Sequence, residues 1–317
     1  MNFAENKYDL LKNLDPSVFD CKDIFAFEIA DVKIKLRYSG PTFEKVRMFL
    51  ETYFGHFKKL STVETSFDVE INYLQPDKGE IASEKWAGWN HWPHEIELRN
   101  YNLFWGMMQR DFVAKISKDF KKVFAIGPVW SFETCDSIDN LISYVIGKHI
   151  IGKRGLVLHA ACIVQNDEAL VFFGRSGAGK STIAEHSYKQ YNFKVISSDQ
   201  VLLKYIEDTL YAIVVPTTIP EFHLDHPARE KKPIKVKAII HLVQSDKEFQ
   251  WQQLNETDFL CHFMRELVYR NEFGNERQLL DLSLKISTNP SIMRGEMSYL
   301  KNSDYFSHLS KVIYNEQ

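Results

Sequence analysis

The stretch Leu170–Ala184, LVFFGRSGAGKSTIA, constrains this chain more than any other. It fits the pattern G-x-x-x-x-G-K-[ST] through Gly174, Gly179, Lys180 and Ser181. A chain of this length matches that pattern by chance only about once in a hundred cases. Each fixed residue type has a physical task. Glycines let the backbone turn tightly and aim several N–H groups at phosphate oxygens, and the start of the following helix adds partial positive charge. The apolar run Ala169–Phe173 enters the loop as a buried strand would, and Ser181–Gln190 leaves it with helix-tolerant composition. The loop therefore reads as a phosphate cradle for a nucleotide, formed by Gly174, Arg175, Ser176, Gly177, Ala178, Gly179, Lys180, Ser181 and Thr182. Lys180 is expected to reach the β- and γ-phosphates, and the Ser181 hydroxyl to join the Mg²⁺ shell.

With 317 residues, 44% of them hydrophobic, the chain is long enough to fill two cores. A net charge of −3 and the lack of an arginine-rich stripe argue against nucleic acid as the main partner, because a phosphate backbone asks for many cationic contacts. No apolar run approaches the roughly 18 residues of a membrane span, and the N-terminal MNFAENKYDLLKNLD lacks the basic-then-apolar order of a signal peptide. The expected location is the cytoplasm, away from membranes. Cys21, Cys135, Cys162 and Cys261 lie far apart, so reduced and mostly buried thiols are expected rather than a zinc site or a disulfide framework.

FAFEIADVKIKLRY alternates like a half-buried hairpin turning at Ala30 and Asp31. A helix is expected over Thr42–Phe57, with strands at Phe67–Tyr73, Glu95–Leu98, Phe112–Ile116 and Val123–Ile126, which together make a small α+β unit. WAGWNHWPHE, with Trp86, Trp89, Trp92, His91 and His94, reads as a strand-edge aromatic cluster rather than a ligand site. Ile138, Leu141, Ile142, Val145 and Ile146 form the apolar stripe of a helix ending near Ile151, and the domain boundary is placed just before it, giving domains 1–132 and 133–317. LVLHAACIV and ALVFFG then read as strands joined at Asn166 and Asp167. Because the cradle strand is the second of an antiparallel pair, the sheet should be mixed. After the cradle helix, FKVIS is a strand that delivers Asp199, a carboxylate suited to holding Mg²⁺ or accepting a proton from an attacking hydroxyl. Glu221, His223, His226 and the lysines Lys231, Lys232, Lys235 and Lys237 read as a solvated loop region. KVKAIIHLV, FQWQQL and SIMRGEMSYL are expected strands; Thr257–Tyr269, Asn275–Lys285 and a segment ending at Ile313 are expected helices.

Taken together, GLVLHAACIV, LVFFGRSGAGKST and VISSDQV resemble the catalytic domain of the HPr serine kinase and phosphoenolpyruvate carboxykinase superfamily, and most closely its HPr-kinase-related branch. The resemblance covers roughly Asp136 to the C-terminus. It implies an α/β chain with a C-terminal P-loop kinase domain on a mixed sheet and a smaller N-terminal α+β domain that recruits or interacts. It also implies His159 beside the transferred phosphoryl group, Asp199 as metal ligand and either the base as well or with the base elsewhere, and assembly into a homo-oligomer. The implied activity is ATP-dependent phosphorylation of a hydroxyl, most simply a serine of a protein or peptide. Two departures stand out. The family's adjacent aspartates are Ser198 and Asp199 in this chain, and the glycine-rich, arginine-bearing segment used to reverse the reaction is not found. GAGKST followed by a strand and SDQ is also similar to shikimate kinase, which implies a small-molecule acceptor. A nucleotide-binding switch without transfer is the third reading.

Overall fold

The alternating segment near the N-terminus does fold as a hairpin: β1 (Asp23–Ile29) and β2 (Val32–Ser39) are antiparallel, joined by Ala30 and Asp31, both at positive φ. Such a two-residue turn matches the twist of the strands it joins. The structure is a computed structural model that describes residues 21, 23–40, 43–55, 57–62, 66–75, 97–109, 112–127, 136–215, 230–245, 249–268, 275–299 and 305–314. The aromatic cluster around Trp89 and the segment holding Glu221, His223 and His226 lie outside these residues.

The chain is mixed α/β with two mixed sheets and divides into two compact units, Met1–His149 and Ile150–Gln317. In the first unit α1 (Phe43–Phe54) follows the hairpin, then come β3 (Lys58–Lys59), β4 (Val69–Leu74), β5 (Glu97–Asn100), β6 (Phe104–Gln109), β7 (Phe112–Ser117) and β8 (Lys122–Ile126). The sheet order is β3-β1-β2-β4-β8-β7-β6-β5, with β2–β4 and β4–β8 parallel. Val46, Phe49, Leu50 and Phe54 recur at helical spacing and are buried, and Phe54 meets Phe27 of β1 with ring centroids 5.0 Å apart. Helix α2 (Asp136–Ile151) buries its expected apolar stripe, and the division between the units falls in its last turn, where His149 Nε2 lies 3.0 Å from Phe120 O.

The second unit contains β9 (Gly155–Gln165), β10 (Glu168–Phe173), α3 (Lys180–Tyr191), β11 (Lys194–Ser197), β12 (Gln200–Ile206), β13 (Thr209–Val214), β14 (Ile234–Leu242), β15 (Gln250–Gln253), α4 (Glu256–Arg265), α5 (Glu276–Ser287), β16 (Met293–Ser298) and α6 (Tyr305–Tyr314). The expected hairpin is present: β9 and β10 are antiparallel, while β10 and β16 run parallel to β14 between them. β9 changes partners at its middle. Its first half, Gly155–His159, pairs with β12, and its second half pairs with β10 and β11.

β10 is buried on both faces, as a strand with helices above and below must be. Leu170 and Phe172 join Ile183 and Ala184 of α3 and Tyr305, Phe306 and Leu309 of α6 in one core. On the opposite face Phe173 meets Phe259 and Phe263 of α4 edge-on, each with centroids 5.8 Å away. The cradle strand is thus clamped between two helical layers just before its loop begins. Among the described residues no helix is long and apolar enough to cross a membrane, and the Cys21 and Cys162 thiols are buried whereas that of Cys261 is exposed.

Candidate functional site

Phe173 ends β10 and the chain turns at once into the loop, with Gly174, Gly177 and Gly179 all at positive φ. Two of these glycines are required by their surroundings. A Cβ on Gly174 would lie 2.7 Å from Leu242 O, and one on Gly179 would lie 2.6 Å from the Tyr299 hydroxyl. The Tyr299 hydroxyl donates to Gly179 O at 3.1 Å, and the Gln244 side-chain amide donates to Gly177 O at 2.6 Å. The loop is therefore shaped from outside as well as by its own sequence. Gly179→Ala carries both the contact and a backbone cost of about 1 kcal/mol or more at φ +104. It is expected to weaken nucleotide binding strongly in titrations with ATP. Tyr299→Phe in the same chain should not restore it, because the φ strain remains; full restoration would show the hydroxyl contact to be the whole effect.

Lys180 opens α3 and is buried, its ammonium donating to Gly174 O at 2.6 Å and Arg175 O at 3.0 Å. Burial lowers its pKa, while the carboxylates of Glu266 and Asp199 work in the opposite direction. Arg175, Ser176 and Gly177 stand exposed on the loop, Ala178 is buried, and Ser181 is exposed with Thr182 half-buried behind it on the first helical turn. The Ser181 hydroxyl lies 3.4 Å from Ser198 O, which ties the helix start to the segment carrying Asp199.

Asp199 follows β11, and its placement is local. The Ser197 hydroxyl accepts the backbone N–H groups of Asp199 and Gln200 at 3.2 and 3.0 Å, a turn that fixes the direction of the Asp199 side chain. Ser198 faces inward, with its hydroxyl buried and without a hydrogen-bond partner among the described residues. Asp199 is thus the carboxylate this turn offers to the cleft. The Asp199 carbonyl accepts from Ala160 N at 2.8 Å, at the point where β9 changes partners. That contact sets His159 beside Asp199, with Nε2 3.2 Å from Asp199 Oδ1.

The other side of the His159 ring meets Glu266, whose Oε2 lies 3.8 Å from Nδ1. Glu266 and Arg265 have no signal in the sequence. The expected helix over Thr257–Tyr269 stops at Arg265, because the chain straightens and docks on the open edge of β9. His159 N donates to Glu266 O at 2.9 Å, Val268 N donates to Val157 O at 3.0 Å, and Leu158 bridges Leu267. Two cavities meet there. One, about 440 Å³, is lined by the loop residues Arg175, Ser176 and Ala178 with Arg265 and Glu266. The other, about 340 Å³, is lined by His159, Asp199 and Gln200, again with Arg265 and Glu266.

Of the lysines read as a solvated loop, Lys235 and Lys237 lie on β14 instead, and none of the four lines either cavity. Lys237 pairs with Glu168 at 3.8 Å, and Lys231 and Lys232 bond through their backbone N–H groups to Glu230. No protein-family model and no curated protein matches the chain.

Proposed function

We propose that the second unit is a P-loop phosphotransferase that binds ATP with Mg²⁺ and phosphorylates a hydroxyl, a serine of a protein or peptide. The observation that carries this reading is the meeting of two cavities at Arg265 and Glu266, with the glycine-lysine loop on one side and the Asp199–His159 pair on the other. A donor and an acceptor held in the two cavities would share a wall lined by an arginine. Phosphoryl transfer asks for positioning and charge stabilisation more than for covalent chemistry, so this set of parts is sufficient.

The residues fit the group. The loop takes its shape at two positions that admit no Cβ, and the N-terminus of a twelve-residue helix points its free N–H groups into the same space. ATP with Mg²⁺ supplies the phosphoryl group and the cation that screens its charge. Lys180 would exchange its two carbonyl partners for phosphate oxygens, Ser181 and Asp199 would offer oxygen ligands to the cation, and Arg265 would offer a fork of donors at the junction of the cavities. Asp199 takes the acceptor's proton. His159 holds the Asp199 carboxylate in one orientation, and Glu266 holds His159 from behind.

A nucleotide-binding switch without transfer is favoured by one observation, the serine at position 198 whose hydroxyl is turned into the protein. Both readings meet the same experiment: γ-phosphate-labelled ATP and Mg²⁺ are incubated with the full chain and cell extract separated into macromolecular and small-molecule fractions, with Asp199→Asn as control. Label in a protein band that falls on the order of 10²–10⁴-fold in Asp199→Asn is the expected result. Label confined to the small-molecule fraction would replace the protein acceptor by a metabolite. Absence of Asp199-dependent label in both fractions, with ATP binding intact, would overturn transfer in favour of the switch.

A further inference from the structure

The parallel strands β14 and β16 are in register so that His241 stands beside Glu296, and His241 also stands beside Phe173, the last residue before the loop. His241 Nδ1 lies 2.9 Å from Glu296 Oε2. Helix α4 is seated on Phe173 through Phe259 and Phe263, and His262, three residues after Phe259, lies over the strand ends. Its ring stacks on that of His241 with centroids 4.2 Å apart and 20° between planes. One ligand atom from each of His241, His262 and Glu296 falls within 4.8 Å of the other two, and all three side chains are half-buried. They line the 440 Å³ cavity that also holds the loop residues Arg175, Ser176 and Ala178.

From this arrangement we propose that His241, His262 and Glu296 form a binding site for a divalent transition metal of the zinc class, set in the wall of the nucleotide-side cavity. Two imidazoles and one carboxylate are the donor set of zinc sites that keep a fourth position open, and the edge of a tetrahedron with bonds near 2 Å is about 3.3 Å. The His241–Glu296 separation is already that short, and a His262 nitrogen, within 4.8 Å of both, joins the set when its ring turns out of the stack on His241. Mg²⁺ and Ca²⁺ prefer oxygen ligands alone, so the two nitrogens make this a different site from the one Ser181 and Asp199 offer. The fourth position opens on the cavity, where the metal binds water and exchanges it for an oxygen of the molecule held beside it. The site stands on its own geometry and does not depend on phosphotransfer.

The test uses the full chain stripped with a chelator and titrated with Zn²⁺ by calorimetry, and with Co²⁺ for its visible spectrum. Wild-type protein is expected to take one equivalent of either ion, with the intense absorption of four-coordinate cobalt. His262→Ala and Glu296→Ala, each checked for folding by circular dichroism, should each bind at least roughly 100-fold more weakly, since even outer partners of a metal are worth 10–100-fold. Cys261→Ser should bind as wild type. Three results would overturn the site: no stoichiometric binding by folded wild-type protein, affinity within a few-fold of wild type in a folded His262→Ala or Glu296→Ala, or loss of binding in Cys261→Ser.

Discussion

Lys180→Ala is expected to lose ATP-dependent transfer by 10²–10³-fold or more while leaving the stability of the fold within about 1 kcal/mol of wild type. The first half follows from the position of the ammonium. It is the buried cation of the loop, and removing one preorganised donor from a site of developing charge costs on the order of 10²–10³ in rate. The second half follows from burial. The Lys180 ammonium is buried and held by Gly174 O and Arg175 O. Burial works against the charged form, as the lowered pKa records. A lysine whose folded pKa lies below its unfolded one costs stability at every pH where the unfolded chain would protonate it, including neutrality. Alanine removes that cost together with two charge-assisted hydrogen bonds, and the two effects oppose each other. Transfer assays and urea unfolding on one preparation separate the outcomes. Undiminished turnover would remove Lys180 from the site, and a large loss of stability would make the lysine a structural strut.

Local patterns made a large share of this fold legible in the sequence, and long-range docking accounts for the rest. The turn at Asn166 and Asp167, both at positive φ, made the β9–β10 hairpin readable, and from it the mixed sheet follows. The stripe of α2 and the turn at Ala30 and Asp31 were readable for the same reason, since each rests on residues within one turn of each other. β6 was not foreseen, because FWGMMQ neither alternates nor holds β-branched residues. β12 begins directly after Asp199, with no glycine or proline to mark its start. Asp199 was legible as the carboxylate ending the strand after the cradle helix and His159 only through the family resemblance, and their 3.2 Å contact depends on the change of partner in β9. Glu266, Arg265 and His262 reach the cavities through the docking of α4 and of the chain behind it, and no spacing in the sequence encodes that.

The docking of α4 gives the other large expected effect. Phe173→Ala should destabilise the second unit by about 3–5 kcal/mol, the usual loss for removing a fully buried phenyl ring. The ring fills the space between the cradle strand and Phe259 and Phe263, and alanine leaves that face of α4 without its edge-on partner. The effect should exceed stability. Arg265 and Glu266 follow Phe263 directly, and their position depends on the helix that ends there. In a chain still folded at low temperature, transfer should fall further than ATP affinity, because the loop keeps its own anchors at Gln244 and Tyr299 while the wall shared by the two cavities shifts. Phe173→Leu keeps part of the volume and should lose less in both measures. Urea midpoints report the first effect; ATP titration and label transfer on the same samples report the second. Equal losses of ATP affinity and transfer in Phe173→Ala would mean that α4 supports the loop alone, and that Arg265 and Glu266 do not form a working wall between donor and acceptor.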